Sequence, residues 1–395
     1  MDFSLNETQI AWQMKARKFA AEEIAPISLA RDAELDPKHT WNWDIIKKGS
    51  KLGFRTAVVP KEFGGHGIDF VSQALIMAEL AKADSAISKA FSQCWKWSHL
   101  IATQCNEEQK KRFLKAFIED DTFVLGKGIT ESTAGSDNRL PIDDPKAGLR
   151  LSGVRDGDHW ILNGEKTFIA NGGVGKLFFL DVRTDSTVPL KQGITMFLVP
   201  RDTPGFRFGK QFNKSGWRFY MNAELIFENA RVPHANVVGA VNNATTKKGS
   251  GDTTGGDLFG DLELAANALG VCESACDQSL ALARTKQIGG RLLKEQQDVQ
   301  LKINRMISLT EALRGLVMRA AWEHDQKVHS PIAALAMNLS TEIIQEVTET
   351  NLAVHDDAGA EMPAHAEKLV RDAFIWSHLA GDSVQRMRTV RRILK

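Results

Sequence analysis

The chain has 395 residues, of which 43% are hydrophobic and 25% charged, with 50 basic side chains against 49 acidic ones. These are the proportions of an ordinary globular protein with two or three structural units, and they exclude wholesale disorder. A formal charge of +1 creates no long-range field to gather nucleic acid or an anionic membrane, and no apolar run approaches the roughly 20 residues of a membrane span.

The opening MDFSLNETQI lacks the basic stretch and apolar run of a signal peptide, so a cytoplasmic location is expected. Four cysteines, Cys94, Cys105, Cys272 and Cys276, are too few for a disulfide scaffold and lack CxxC spacing, and they are expected as reduced, buried thiols.

From about residue 5 to 120, apolar residues recur at three and four, as in IAWQMKARKFAAEEIAPISLA and FVSQALIMAELAKADSAISKAF, which predicts amphipathic helices. LGFRTAVVPKEFGGHGID, with Pro60, Gly64, Gly65 and Gly67, predicts a loop between them. Over 122–238 the pattern changes to short apolar or alternating runs, HWILNG, KLFFLDV, GITMFLVP and AELIFENARVP, separated by turn residues; this predicts a β domain. Residues 239–260 are rich in Gly, Thr, Asn and Lys and predict a flexible connection. Helical periodicity returns over 261–395 and predicts a bundle. Helices, then sheet, then helices is an α+β order, mostly α, with an N-terminal helical domain over 1–121.

GITESTAGSDNRL (128–140) is the most specific local signal. A Gly-Ser-Asp stretch alone is an ordinary turn. Here it stands with the opening DFSLNETQ, VPKEFGGHG, NGEKTFIANGG (163–173), GWRFYMNAELIFENARVP (216–233) and EKLVRDA (367–373). In this order and spacing the set resembles the acyl-CoA dehydrogenase family nearly from end to end. Gly128, Ile129, Thr130, Glu131, Ala134, Gly135, Ser136 and Asp137 fit the family's signature, and Leu140 replaces its final small residue.

The resemblance implies a C-terminal four-helix bundle, a tetramer, and FAD lying between the β domain of one subunit and the bundle of its neighbour. No GxGxxG phosphate loop is then required, and none stands in a strand–helix context. It further implies that Ile129 and Thr130 contact the flavin edge, and that Gly135 and Ser136 lie near the FAD phosphates and the substrate's thioester arm. Phe168 stands where the family commonly packs a Trp on the flavin, and Ala170 where a hydroxyl usually bonds it. Lys286 replaces a phosphate-binding Arg, keeping the charge without the bidentate fork, while Gln297 matches. Ala353, Asp356 and Asp357 occupy the segment that normally brings Gln and Gly to the pyrophosphate. CWKWSH (94–99) falls near the acyl pocket, which places Trp95, Trp97 and His99 there.

The family's chemistry removes a proton from the carbon beside the thioester while a hydride leaves the next carbon for the flavin, so a carboxylate base must face the substrate. Counting from Arg371-Asp372-Ala373 puts Leu379-Ala380-Gly381 at the usual base segment, and Ala380 has no carboxylate. Leu379 and Gly381 then flank the substrate, and the backbone amide of Ala380 remains a donor for the thioester oxygen. Counting back from Gly270 puts Gly260 at the family's second base position and Asp261 where an Arg is usual. Asp261, four residues after Asp257, and His378 are the substitute candidates; a helix-capping role competes for the two acids.

The expected function is an FAD-dependent oxidoreductase acting on an acyl-CoA thioester. It proceeds either with a displaced base or by a reaction in which carboxylate or sulfinate leaves in place of the proton. Electron-transfer flavoprotein is the expected acceptor and a homotetramer the expected assembly. The alternative is a half-site or non-catalytic subunit of a heterotetramer whose homologous partner supplies the Glu. The changes at Ala353, Asp356, Asp357 and Ala380 favour that alternative, and the retained GITESTAGSD favours flavin contact.

Overall fold

The computed structural model describes residues 4–135, 138, 142–243, 258–356, 364–379 and 383–394. Most of the predicted 239–260 connection lies outside them.

Helix α1 (Glu7–Phe19) opens on a capping box: the Asn6 side chain accepts from the Gln9 N–H, and the Gln9 side chain accepts from the Asn6 N–H. Helices α2 (Ala25–Asp32), α3 (Trp43–Lys51), α4 (Phe70–Ala83) and α5 (Ser85–Gln104) follow. Asp69 caps α4 and Asp84 caps α5 through their first free backbone N–H groups.

The middle of the chain forms β1 (Leu125–Gly128), β2 (Ser152–Asp156), β3 (His159–Ala170), β4 (Leu177–Arg183), β5 (Ile194–Pro200), β6 (Phe206–Gln211), β7 (Asn222–Pro233) and β8 (Val237–Val238). The sheet order is β6-β7-β3-β2-β4-β5-β8, with β1 parallel on β4. Alternate residues of β4 serve two cores: Phe178, Leu180 and Val182 join the β core, while Leu177 and Phe179 join the helical one. A strand covered on both faces reads as a continuous apolar run, as KLFFLDV does.

The C-terminal region holds three long helices, α6 (Leu258–Thr285), α7 (Gln297–Asp325) and α8 (Ile332–His355), followed by α9 (His365–Phe374), α10 (Trp376–Leu379) and α11 (Ser383–Ile393). Helix α4 packs against α1, α5, α6 and α7, and it is buried continuously from Val71 to Ala81. One apolar core therefore runs from Trp12 through α4 to α6, α8 and Trp376. The two helical regions share it.

The EKLVRDA segment is the joint between these layers. Asp372 accepts from the Trp217 N–H (2.7 Å), Ser85 Oγ (2.9 Å) and Lys368 Nζ (2.7 Å). Lys368 also reaches Asp84 at 3.2 Å, and Arg371 pairs with Asp32 and Glu367. These buried charges are mutually satisfied, so removing one strands the others. They fasten the loop before β7 to α2, α5 and α9.

Candidate active site

The signature motif begins where β1 ends and is held from beneath by one buried ion pair. Lys166 Nζ, on β3, lies 2.7 Å from Glu131 Oε1 and 3.1 Å from the Ile129 carbonyl. The same carboxylate accepts the Arg150 N–H at 2.6 Å and the Leu151 N–H at 3.0 Å. The Thr167 N–H donates to the Thr130 carbonyl at 2.9 Å. Burial pushes the Lys166 ammonium below its ordinary pKa, with Glu131 opposing that shift. Backbone 129–131 is thus clamped from both sides, which leaves the half-buried Ile129 and Thr130 in a fixed position.

A tight turn follows, with Glu131 and Ala134 bridging N–H to carbonyl. At Gly135 an added Cβ would meet nothing within 4 Å among the described residues. Ser136 and Asp137 lie outside the described residues.

Phe168 stands beside this strip for a reason legible in the sheet. The register of β3 against β7 slips between Lys166 and Ile169, and Phe168 adopts φ 54°, a left-handed conformation rare for an aromatic residue. The irregularity turns its ring outward, 56% exposed, where it stacks on Phe212 with ring centroids 3.8 Å apart. Asn222 Nδ2 donates to the Phe168 carbonyl at 2.9 Å and so secures the bulge. Ala170, half-buried, closes the same strand opposite Asn222. An outward aromatic face beside a clamped strip of polar backbone suits a flat aromatic cofactor, and on this side the residues fit a flavin.

On the helical side, Trp95 is buried and donates Nε1–H to the Phe54 carbonyl at 2.7 Å. Trp97 packs on Phe179 of β4, and His99 is half-buried, with its pKa lowered by burial. Trp95 also lines a small cavity of about 10 Å³ with Gln73, Ala74, Met77, Leu262 and Glu263.

Asp261, in the first turn of α6, is buried, and Gln385 Nε2 of α11 lies 3.5 Å from its Oδ1. Glu263 is two residues on, about 200° round the helix. It faces α5 instead, where Lys89 Nζ lies 2.9 Å from its Oε2. Leu379 is 42% exposed and His378 is exposed. Ala380, Gly381 and Asp257 lie outside the described residues.

Lys286 and Gln297 belong to a separate place. Helix α6 is 28 residues long, about 42 Å at 1.5 Å per residue, with Asp261 in its first turn and Lys286 just past its last. Lys286 Nζ reaches the His355 carbonyl at 3.4 Å, and Gln297 is exposed at the start of α7. Asp356 is exposed after α8, at φ 58°, so water solvates its charge; Asp357 lies outside the described residues. The fold does not bring Lys286 or Gln297 to Asp261 within one chain.

Sequence reasoning missed Lys166, Lys89 and Glu263. The last two carried a signal, a lone charge within the apolar helical stretches SAISKAF and LELAANA. Among the described residues no His, Cys, Asp and Glu cluster suits a metal ion, and no helix is long and apolar enough to cross a membrane.

Family models for the acyl-CoA dehydrogenase N-terminal, middle and C-terminal domains match residues 6–121, 126–230 and 260–394. The chain is 30% identical over 393 residues to the short-chain specific acyl-CoA dehydrogenase of Clostridium acetobutylicum, covering 97% of each. Among solved structures it is similar to butyryl-CoA dehydrogenase from Megasphaera elsdenii, with 28% identity, a TM-score of 0.90 and 100% of both chains covered. It is equally similar to a chain in the structure of the electron transferring flavoprotein of Acidaminococcus fermentans, with 31% identity, a TM-score of 0.90 and 100% of both chains covered.

Proposed function

Because the chain belongs to the acyl-CoA dehydrogenase family, we propose that it is an FAD-dependent oxidoreductase acting on the acyl group of a short acyl-CoA thioester. The observation that carries this reading is the clamped 129–135 strip beside the outward ring of Phe168. FAD, when bound, supplies the hydride acceptor. The chain's own work is to meet the flavin edge with the backbone and hydroxyl of Ile129 and Thr130 and to cover a ring face with Phe168. Ala170 leaves the adjoining edge without a side-chain hydroxyl.

The reaction is α,β-dehydrogenation or its counterpart in which another group leaves in place of the proton. Asp261 is turned toward Gln385 and is the weaker base candidate for that reason. The length of α6 separates Lys286 and Gln297 from the first turn, which supports a homotetramer in which each bundle completes a neighbour's flavin site. Electrons leave to an electron-transfer flavoprotein, a reading supported by the likeness to the Acidaminococcus fermentans chain. Four free, buried thiols support a cytoplasmic location.

The test is the visible spectrum and the flavin-to-chain ratio of the purified protein, followed by anaerobic addition of butyryl-CoA. Stoichiometric FAD that bleaches with the thioester is the expected result. A chain that cannot be loaded with FAD and binds no acyl-CoA overturns the reading. FAD gained only on mixing with a homologous chain replaces the homotetramer with the heteromeric half-site.

A further inference from the structure

The bulge that turns Phe168 outward is tied at two consecutive residues. The Thr167 N–H donates to the Thr130 carbonyl at 2.9 Å, which fixes one side of it to the signature strip. The Phe168 carbonyl accepts from Asn222 Nδ2 at 2.9 Å, which fixes the other side. A φ of 54° is unfavourable for an aromatic residue, so this backbone keeps its shape only while its neighbours hold it. Asn222 also accepts the Phe212 N–H on its own backbone carbonyl at 3.0 Å. One residue therefore secures both rings of the Phe168–Phe212 stack.

The side-chain amide of Asn222 has a donor end and an acceptor end, and only one arrangement serves the bulge. The Phe168 carbonyl accepts and cannot donate, so Nδ2 must face it and Oδ1 must face elsewhere. Oδ1 meets Lys214 Nζ at 2.6 Å. The same amino group donates to the Tyr220 carbonyl at 2.6 Å, so Lys214 bridges the loop between β6 and β7 near its two ends.

That loop is itself fastened to the helices. Arg218 donates to the Lys214 carbonyl at 2.9 Å and to the carbonyls of Asp32 and Glu34 at the end of α2. The Trp217 N–H is held by Asp372 of α9 at 2.7 Å. Lys214 is thereby placed by the helical layers, Asn222 by Lys214, and the bulge by Asn222.

We propose that Lys214 is a positioning residue of the flavin site: acting through Asn222, it sets the orientation of the Phe168 ring on which the flavin packs. The inference rests on the flavin reading above and names what holds that site's aromatic face. One face of Phe168 is covered by Phe212, with ring centroids 3.8 Å apart, so the flavin takes the opposite face.

The experiment is titration of the full-length protein with FAD, followed by flavin fluorescence and by the visible circular dichroism of the bound flavin, with urea midpoints measured on the same variants. Lys214→Met weakens FAD binding about fivefold, the worth of one hydrogen bond, and alters the dichroism. Asn222→Asp separates positioning from stability. Its carboxylate keeps Lys214 as a partner, so the urea midpoint holds, but both of its oxygens are acceptors and nothing donates to the Phe168 carbonyl, so FAD binding falls at least as far. Lys214→Met added to Asn222→Ala costs no further affinity, because the lysine acts only through the amide. FAD affinity and dichroism unchanged in Lys214→Met or in Asn222→Asp, or losses that add in the double variant, overturn this inference and leave the flavin reading intact. If the unsubstituted protein takes up no FAD, both fall together.

Discussion

Replacing Glu131 with Ala tests whether the flavin-side strip depends on its buried pair. Lys166 has zero exposure and Glu131 only 5%, so the substitution leaves an ammonium without its carboxylate in a site closed to water. Breaking such a pair costs about 3–5 kcal/mol. The Arg150 and Leu151 N–H groups also lose their acceptor, at about 1–3 kcal/mol each for groups left unsatisfied. Lys166 limits the loss by giving up its proton, toward which burial already pushes it, so a total near 4–6 kcal/mol is expected. That is a large share of the 5–15 kcal/mol that holds a typical domain folded. The assay is guanidinium unfolding followed by tryptophan fluorescence, with the flavin-to-chain ratio measured on the same samples. The double variant Glu131→Leu, Lys166→Met recovers part of the stability, because no charge is left buried alone, but not the flavin content, because the two N–H groups still lack their acceptor. A loss under about 1 kcal/mol in Glu131→Ala, with flavin retained, refutes the clamp.

Phe168→Ala removes the outward ring and its stack on Phe212, and FAD affinity in a fluorescence titration falls about tenfold, the worth of one aromatic contact; an unchanged affinity removes Phe168 from the site. Gly270→Ala drives a Cβ to 2.2 Å from the Ala78 carbonyl at the α4–α6 crossing, and the melting temperature drops by an amount matching at least 1–3 kcal/mol, roughly the cost of overpacking. Lys214, half-buried, donates to the Tyr220 carbonyl and to Asn222 Oδ1, both at 2.6 Å, and burial brings its pKa down to about 7. Between there and the ordinary lysine value near 10.4, the unfolded chain carries a proton the folded chain lacks, so this group's contribution to stability rises with pH across that window and is lost as pH falls toward 7. Lys214→Met flattens the slope between pH 7 and 8.5 by about 1 kcal/mol per pH unit in urea midpoints, and parallel profiles for the two proteins defeat the assignment.

Local pattern alone determined where the chain is helical and where it is sheet. The three-and-four spacing of FVSQALIMAELAKA becomes α4, the alternating AELIFENARVP becomes β7, and Asn6, Asp69 and Asp84 mark helix starts that neighbouring residues suffice to define. The signature GITESTAGSD was likewise readable, because its residues are contiguous. What only the tertiary structure decided are pairings between residues remote in sequence. Glu131 meets Lys166 across 35 positions, and Lys89 meets Glu263 because α5 and α6 pack together, a juxtaposition no periodicity encodes. The outward turn of Phe168 depends on a slip in register against β7, so simple alternation along β3 does not predict it. Asp261 and Glu263 are two residues apart and chemically alike, yet helical rotation sends one to Gln385 and the other to Lys89. Sequence settles such matters only through the packing that brings distant side chains to a common place, since burial, charge pairing and cavity shape are properties of that place.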